Sequence, residues 1–215
     1  MTGPTSRSLT FPCGDLSLEG VLHLPVRQAG VPESTPAAAA VVCHPHPQYG
    51  GDMENNVVMA VCRSLVSQGF AALRFNFRGV GASDGAFDQG QGERNDVRAA
   101  LAHLASLPEV DGERLGLVGY SFGALVAAQV ADSDLHALAL VSPPVAYGDL
   151  RVDWGCPALI LTGDQDPLAP ADRLQAIGGA ASVGLRVISG ADHSWWGFEE
   201  ELGEALAGFF EQHLV

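Results

Sequence analysis

Short strand-like runs alternate with helix-period segments along this chain, and that alternation constrains the fold more than any other feature. The runs are Ala38–Cys43, Phe70–Phe77, Arg114–Gly119, Ala137–Val141, Ala158–Thr162 and Leu185–Ile188. Asn56–Gln68 carries Val57, Val58, Val61, Cys62, Leu65 and Val66 at helical spacing, with Gly69 as its stop. Glu93–Leu107 places Val97, Leu101 and Leu104 inward and ends before Pro108. Phe122–Ala131, Pro170–Ile177 and Glu199–Leu214 are the remaining expected helices. Connections of this length predict an α/β fold with a mostly parallel central sheet and helices on both faces. A hairpin of Ser8–Pro12 and Leu16–Leu24, turning at Cys13-Gly14-Asp15, is expected to open it. Residues 1–7 are expected as a disordered tail, and Pro25–Pro36 as a loop. Arg78–Gly92 contains five glycines and is expected as another loop. The 215 residues suit one domain.

The charged residues exclude several chemistries. All eleven basic residues are arginine, and the chain has no lysine. A P-loop needs its lysine, and a Schiff-base enzyme needs a lysine amine. The net charge of -14 argues against nucleic acid as a partner, because that needs a basic footprint. No stretch reaches the 18 or so apolar residues of a membrane span, and Met1–Pro12 lacks an apolar run of signal-peptide length. Cys13, Cys43, Cys62 and Cys156 lie far apart with no CxxC spacing. They read as reduced thiols, and the cytoplasm is the expected compartment.

Parallel sheets gather their working residues just past the carboxyl ends of strands. Two segments there have the form G-x-S-x-G: Gly119-Tyr120-Ser121-Phe122-Gly123 and Gly81-Ala82-Ser83-Asp84-Gly85. The bare motif is weak in a chain with 26 glycines. Ser121, however, follows the apolar run Leu115–Val118 and precedes the apolar helix Ala124–Ala128. That context is a strand, a sharp turn and a helix, which strains a nucleophile into exposure. Ser83 leads into no helix and reads as a turn residue. A serine hydroxyl needs a base, and the base needs an orienting group. His193 follows the run Leu185–Ile188, and Asp166 follows Ala158–Thr162. Asp164 and Asp192 compete for the acid position on residue type alone. The order Ser121, Asp166, His193 is one of the known orders of such triads.

The segments His44–Gly51, Arg74–Gly81 and Gly119–Gly123 resemble the α/β-hydrolase superfamily, and within it the small lidless bacterial serine esterases. The resemblance runs from about Leu16 onward. Dienelactone hydrolases are more distantly similar; their nucleophile is a cysteine, where this chain has Ser121. The resemblance implies an α/β-hydrolase fold without a cap domain, since only Ser142–Gly155 separates the run ending at Val141 from Cys156. It selects Asp166, which stands directly before Pro167–Pro170, and leaves Asp164 to brace the same loop. It also implies an oxyanion hole made of the Phe122 N–H and an N–H from the loop after Cys43. Pro45 and Pro47 have no N–H, so the second donor is His46 or, failing that, Tyr49. The implied activity is hydrolysis of a small-molecule carboxylic ester or thioester with short acyl groups, without cofactor or metal. Peptidase, acyltransferase and non-turnover binding remain alternatives.

Other residues carry two readings. His44-x-His46, with Asp52 or Glu54, has no recognised zinc spacing, so His44 is read as a loop brace. Arg78 is expected to pair with Asp84 or Asp88. Tyr49, Tyr120, Trp195 and Trp196 are candidate substrate-binding residues, with Tyr147 and Trp154 as further wall residues. The two adjacent tryptophans fit a pocket wall and a packed helix equally well.

Overall fold

The computed structural model describes residues 4–26, 35–178 and 183–214. Its strands are β1 (Thr5–Cys13), β2 (Leu16–Leu24), β3 (Ala37–Cys43), β4 (Ala71–Phe75), β5 (Val110–Tyr120), β6 (Ala137–Val141), β7 (Ala158–Gly163) and β8 (Val183–Ile188). They form one sheet in the order β1-β2-β4-β3-β5-β6-β7-β8. The β1–β2 and β2–β4 pairs are antiparallel, and every later pair is parallel. The helices are α1 (Asn56–Ser67), α2 (Glu93–Ala105), α3 (Phe122–Val130), α4 (Ala171–Gly178) and α5 (Glu199–Leu214).

Period-two alternation divides each buried strand between two cores. In β3, Ala37, Ala39, Val41 and Cys43 join the core with α2, α3 and α4. Ala38, Ala40 and Val42 join the core with α1 and α5. Helix α1 begins at an Asn55 cap, whose side chain accepts from the Val57 N–H. Its apolar face meets α5 through Val57, Val58, Val61, Leu65, Leu202 and Leu206.

The register brings Cys43 beside both Phe75 and Gly119, Tyr120 beside Val141, and Gly163 beside Ile188. The carboxyl ends of six parallel strands therefore share one rim. Residues 142–157, between β6 and β7, hold no helix, and no cap domain covers that rim.

Several boundaries differ from expectation, and three of them have a visible physical reason. Strand β1 starts at Thr5, so the expected tail over 1–7 is strand from that residue on. Thr5, Ser6 and Arg7 pair with Leu24, His23 and Leu22 on the sheet's outer edge, where polar side chains stay exposed. Strand β5 starts at Val110, because a bulge between Ala37 and Ala39 keeps the polar residues Asp111–Arg114 in the strand. Strand β4 ends at Phe75, because the Asn76 N–H makes its last tie to β2 and the Phe77 N–H turns to a side chain. Asn76 donates to Glu19 O, and Phe77 donates to His44 Nε2. Most of the expected Pro25–Pro36 loop lies outside the described residues.

Candidate active site

Ser121 sits between β5 and α3 with φ 53° and ψ −118°, a conformation that side-chain-bearing residues avoid. Its N–H donates to Val141 O at 2.9 Å, which anchors the turn to β6. The flanking glycines are required by contact. A Cβ on Gly119 would stand 2.3 Å from Gly123 O, and one on Gly123 would stand 2.6 Å from both Cys43 O and His44 O. The start of α3 is thereby pressed against the end of β3. Gly123→Ala forces backbone against backbone, and we expect a loss of about 2 kcal/mol. For a chain of this size that is a fall of roughly 4–8 °C in the thermal midpoint, which calorimetry checks.

The loop after β8 delivers His193. Its Nε2 lies 3.0 Å from Ser121 Oγ. Its Nδ1 lies 2.9 Å from Asp166 Oδ2 and 3.0 Å from Oδ1. Asp166 follows β7, is only 4% exposed, and accepts from the Leu168 and Ala169 N–H groups through Oδ1. Burial pushes its carboxyl pKa up. Hydrogen bonds from His193, Ser142 and Ala169 outweigh that, and the net shift is downward. An ionised Asp166 keeps the imidazole proton on Nδ1 and leaves Nε2 as an acceptor facing the serine hydroxyl.

The competing acids are engaged elsewhere. Asp164 accepts from Gly190 N–H at 2.8 Å and from the Ser189 hydroxyl at 2.9 Å, tying the β7 and β8 loops together. Asp192 accepts from Ser194 N–H within its own turn. Ser83 donates to Asn76 O and accepts from Glu19 N–H, so its hydroxyl serves the loop.

The Phe122 N–H opens α3, where no earlier helical carbonyl exists to receive it. The His46 N–H meets no backbone acceptor among the described residues. The Tyr49 alternative fails, because its N–H donates to His46 O at 3.1 Å in a short 3-10 turn. The His46 ring stands 4.9 Å from those of Phe87 and Phe122, and 4.8 Å from that of Tyr49. Sequence reasoning missed Phe87. The available signal was a lone large apolar residue in the polar, glycine-rich loop 78–92.

Several expected wall residues belong to the scaffold. Tyr120 is 5% exposed, and its hydroxyl donates to His193 O at 2.6 Å, so it holds the His193 backbone. Trp195 is fully buried, with Nε1–H donating to Ser142 Oγ at 2.9 Å. Trp154 is buried and donates to Ala128 O. Tyr49, Tyr147 and Trp196 are exposed. Arg78 pairs with Asp96 rather than Asp84 or Asp88. Its Nη2 lies 2.7 Å from Asp96 Oδ1. Asp84 instead receives the Ser17 N–H.

His44 is fully buried. Its Nδ1 lies 2.6 Å from Pro45 O, and its Nε2 accepts from Phe77 N–H at 3.0 Å. Both ring nitrogens are occupied, so it is no metal ligand. Among the described residues, no group of three His, Cys, Asp or Glu side chains is placed to hold a metal ion. Burial pulls the His44 pKa down to about 4. The fold therefore favours the neutral ring, and the unfolded chain takes up a proton first. This stabilisation is intact above about pH 6.5 and is lost as pH falls toward 4, by about 3 kcal/mol in all. Urea unfolding across that range should show a steeper loss for the native chain than for His44→Gln.

A sheet in this order, with a serine elbow after its central strand, is the α/β-hydrolase architecture, and the chain is a hydrolase of that superfamily. It belongs to the X-Pro dipeptidyl-peptidase (S15) family, whose model matches residues 24–165. That span includes Ser121 and stops one residue short of Asp166. An uncharacterized protein of Rickettsia prowazekii is 37% identical over 185 residues, covering 79% of this chain and 77% of its own. An alpha-beta serine hydrolase homologue from Coxiella burnetii has 34% identity and a TM-score of 0.81, over 97% of this chain and 98% of that one. An α/β serine hydrolase without lid from Xanthomonas campestris has 29% identity and a TM-score of 0.82, over 100% and 96%. Among the described residues, no helix is long and apolar enough to cross a membrane.

Proposed function

We propose that the chain is a serine esterase that cleaves small carboxylic esters or thioesters with short acyl groups. The reading rests on one observation: the continuous contact from Ser121 Oγ to His193 Nε2, and from His193 Nδ1 to Asp166. In it, His193 takes the Ser121 proton as Oγ attacks the acyl carbonyl. The negative charge on the carbonyl oxygen is received by the Phe122 and His46 N–H groups. His193 returns the proton to the leaving alcohol or thiol, and an acyl-Ser121 ester remains. Water, deprotonated by His193, then attacks that ester and releases the acid. Asp166 holds the imidazole in the required tautomer throughout.

The uncovered rim favours small substrates that need no enclosing lid. Tyr49 and Trp196, both exposed, and Phe87, half-buried, are the side chains we assign to its walls. The four cysteines are free and buried, which supports a reducing compartment, the cytoplasm. The family's description favours a second reading, a dipeptidyl-peptidase that releases an X-Pro dipeptide. Parallel assays of p-nitrophenyl acetate, p-nitrophenyl octanoate and an X-Pro p-nitroanilide separate the two. The proposal expects sustained turnover of acetate above octanoate and none of the anilide. Turnover of the anilide alone would replace it with the peptidase.

A further inference from the structure

Three aromatic rings meet next to the elbow, and they come from separate stretches of chain. His46 lies in the loop after β3, Phe122 opens α3, and Phe87 lies in the loop before α2. The His46 and Phe122 ring centroids are 4.9 Å apart, and Phe87 closes the triangle at 4.9 Å from His46 and 5.6 Å from Phe122. The interplanar angles are 46°, 54° and 56°, so each pair meets tilted, as attracting aromatic rings do. Two of these rings belong to the residues whose backbone N–H groups are assigned to the oxyanion. A shift of one donor against the other therefore disturbs the ring contacts.

The place of Phe87 is itself enforced. Its loop is polar and rich in glycine, and the composition alone would not hold a phenyl ring still. Glu93, the first residue of α2, has no solvent exposure. Its two carboxylate oxygens accept from the Asp88 and Gly90 N–H groups, each at 2.8 Å. Those bonds bracket Gln89, an exposed residue held at φ 53° in the left-handed region. A buried carboxylate and a strained backbone both cost stability. Here they fix the turn directly after Phe87. That turn also lies against the cluster, since a Cβ on Gly90 would stand 3.7 Å from the Phe122 ring.

We propose that Phe87 is a positioning residue of the oxyanion hole, whose ring, packed on those of His46 and Phe122, holds their two N–H groups at the separation a charged carbonyl oxygen requires. The inference rests on the proposed reading of those two groups as the oxyanion donors. It gives Phe87 a task beyond walling the site, and the two tasks differ in kinetics. A wall binds the substrate and acts on KM. Donor spacing acts where the charge develops, and so on kcat.

The test compares Phe87→Ala, Phe87→Leu, His46→Ala and His46→Pro with the native protein. His46 has φ −60°, which is proline's own value, so His46→Pro deletes the N–H with the ring, whereas His46→Ala deletes the ring alone. The readouts are kcat and KM for p-nitrophenyl acetate, the thermal midpoint, and Ki for 1,1,1-trifluoroacetone, whose adduct with a serine oxygen carries the charged oxygen of the intermediate. For Phe87→Ala we expect kcat to fall about tenfold, Ki to rise about tenfold, and KM to stay within about twofold of native. Where that variant does not fold, Phe87→Leu keeps most of the volume without the ring and carries the same expectations at about threefold. A raised KM with native kcat and Ki makes Phe87 a wall only and overturns the inference. A lowered thermal midpoint with all three constants native makes it structural only and overturns it equally. His46→Pro should be at least about tenfold slower than His46→Ala. If the two are equally active, the reading of the His46 N–H as a donor fails and this inference with it. A slower His46→Pro beside a Phe87→Ala with native kcat and Ki rejects the role of Phe87 alone.

Discussion

Ser121→Ala should lower turnover of p-nitrophenyl acetate by on the order of 10⁶. The size follows from the way the group acts. In the proposed mechanism the serine oxygen forms the covalent bond, and His193 at 3.0 Å removes its proton. Without the oxygen, only binding and the oxyanion N–H groups remain, and they leave a modest acceleration over water. The backbone should tolerate the change, because alanine meets the same φ 53° that serine already endures. Ser83→Ala is the internal control, since it carries the other G-x-S-x-G. Its hydroxyl bonds only the loop, so the variant should lose some stability and keep its turnover. A fluorophosphonate followed by peptide mass mapping should label Ser121 and not Ser83. Equal losses from the two variants would refute the choice of nucleophile.

Asp166→Asn should cost about 10⁴ in kcat while leaving the fold intact. Asn keeps an Oδ1 for the Leu168 and Ala169 N–H groups, so the turn after β7 survives. What changes is the other atom, now an NH₂ group facing His193 Nδ1. A donor there forces Nδ1 to become the acceptor and moves the imidazole proton to Nε2. The base then points a proton at Ser121 instead of a lone pair. Asp164→Asn is the comparison, because its contacts with Ser189 and Gly190 brace the loop without touching the imidazole. It should lower the thermal midpoint slightly and leave kcat near native. The reverse result would move the acid from 166 to 164.

The fold was legible wherever apolar spacing carried it. Val57, Val58, Val61 and Leu65 announce α1, and they bury against α5 as their spacing requires. The elbow was legible because Gly119 and Gly123 face backbone at distances no side chain tolerates. Parity along β5 also assigns Tyr120 to the scaffold. Tyr120 shares its face with Val118, and both lie in the layer of α1 and α5. That argument was available from alternation alone. The choice of Asp166 over Asp164 was not: residue type leaves both open, and it took the resemblance, through the Pro167–Pro170 segment that follows, to select Asp166. Nor was the burial of Glu93 and Asp96, which look like the solvated face of α2. Each is held by a partner that tertiary structure supplies: Glu93 by the Asp88 and Gly90 N–H groups, and Asp96 by Arg78. The role of Trp195 depended likewise on Ser142, more than fifty residues away.

The bare connection from β6 to β7 bears on the fate of any acyl group carried by Ser121. Among the described residues nothing folds over that rim, so in the proposed mechanism water reaches a newly formed serine ester without crossing a lid. Alcohols, amines and thiols would have to outcompete water for it without the help of a sheltered chamber. On the proposed reading, the short segment between Val141 and Ala158 steers the intermediate toward the free acid.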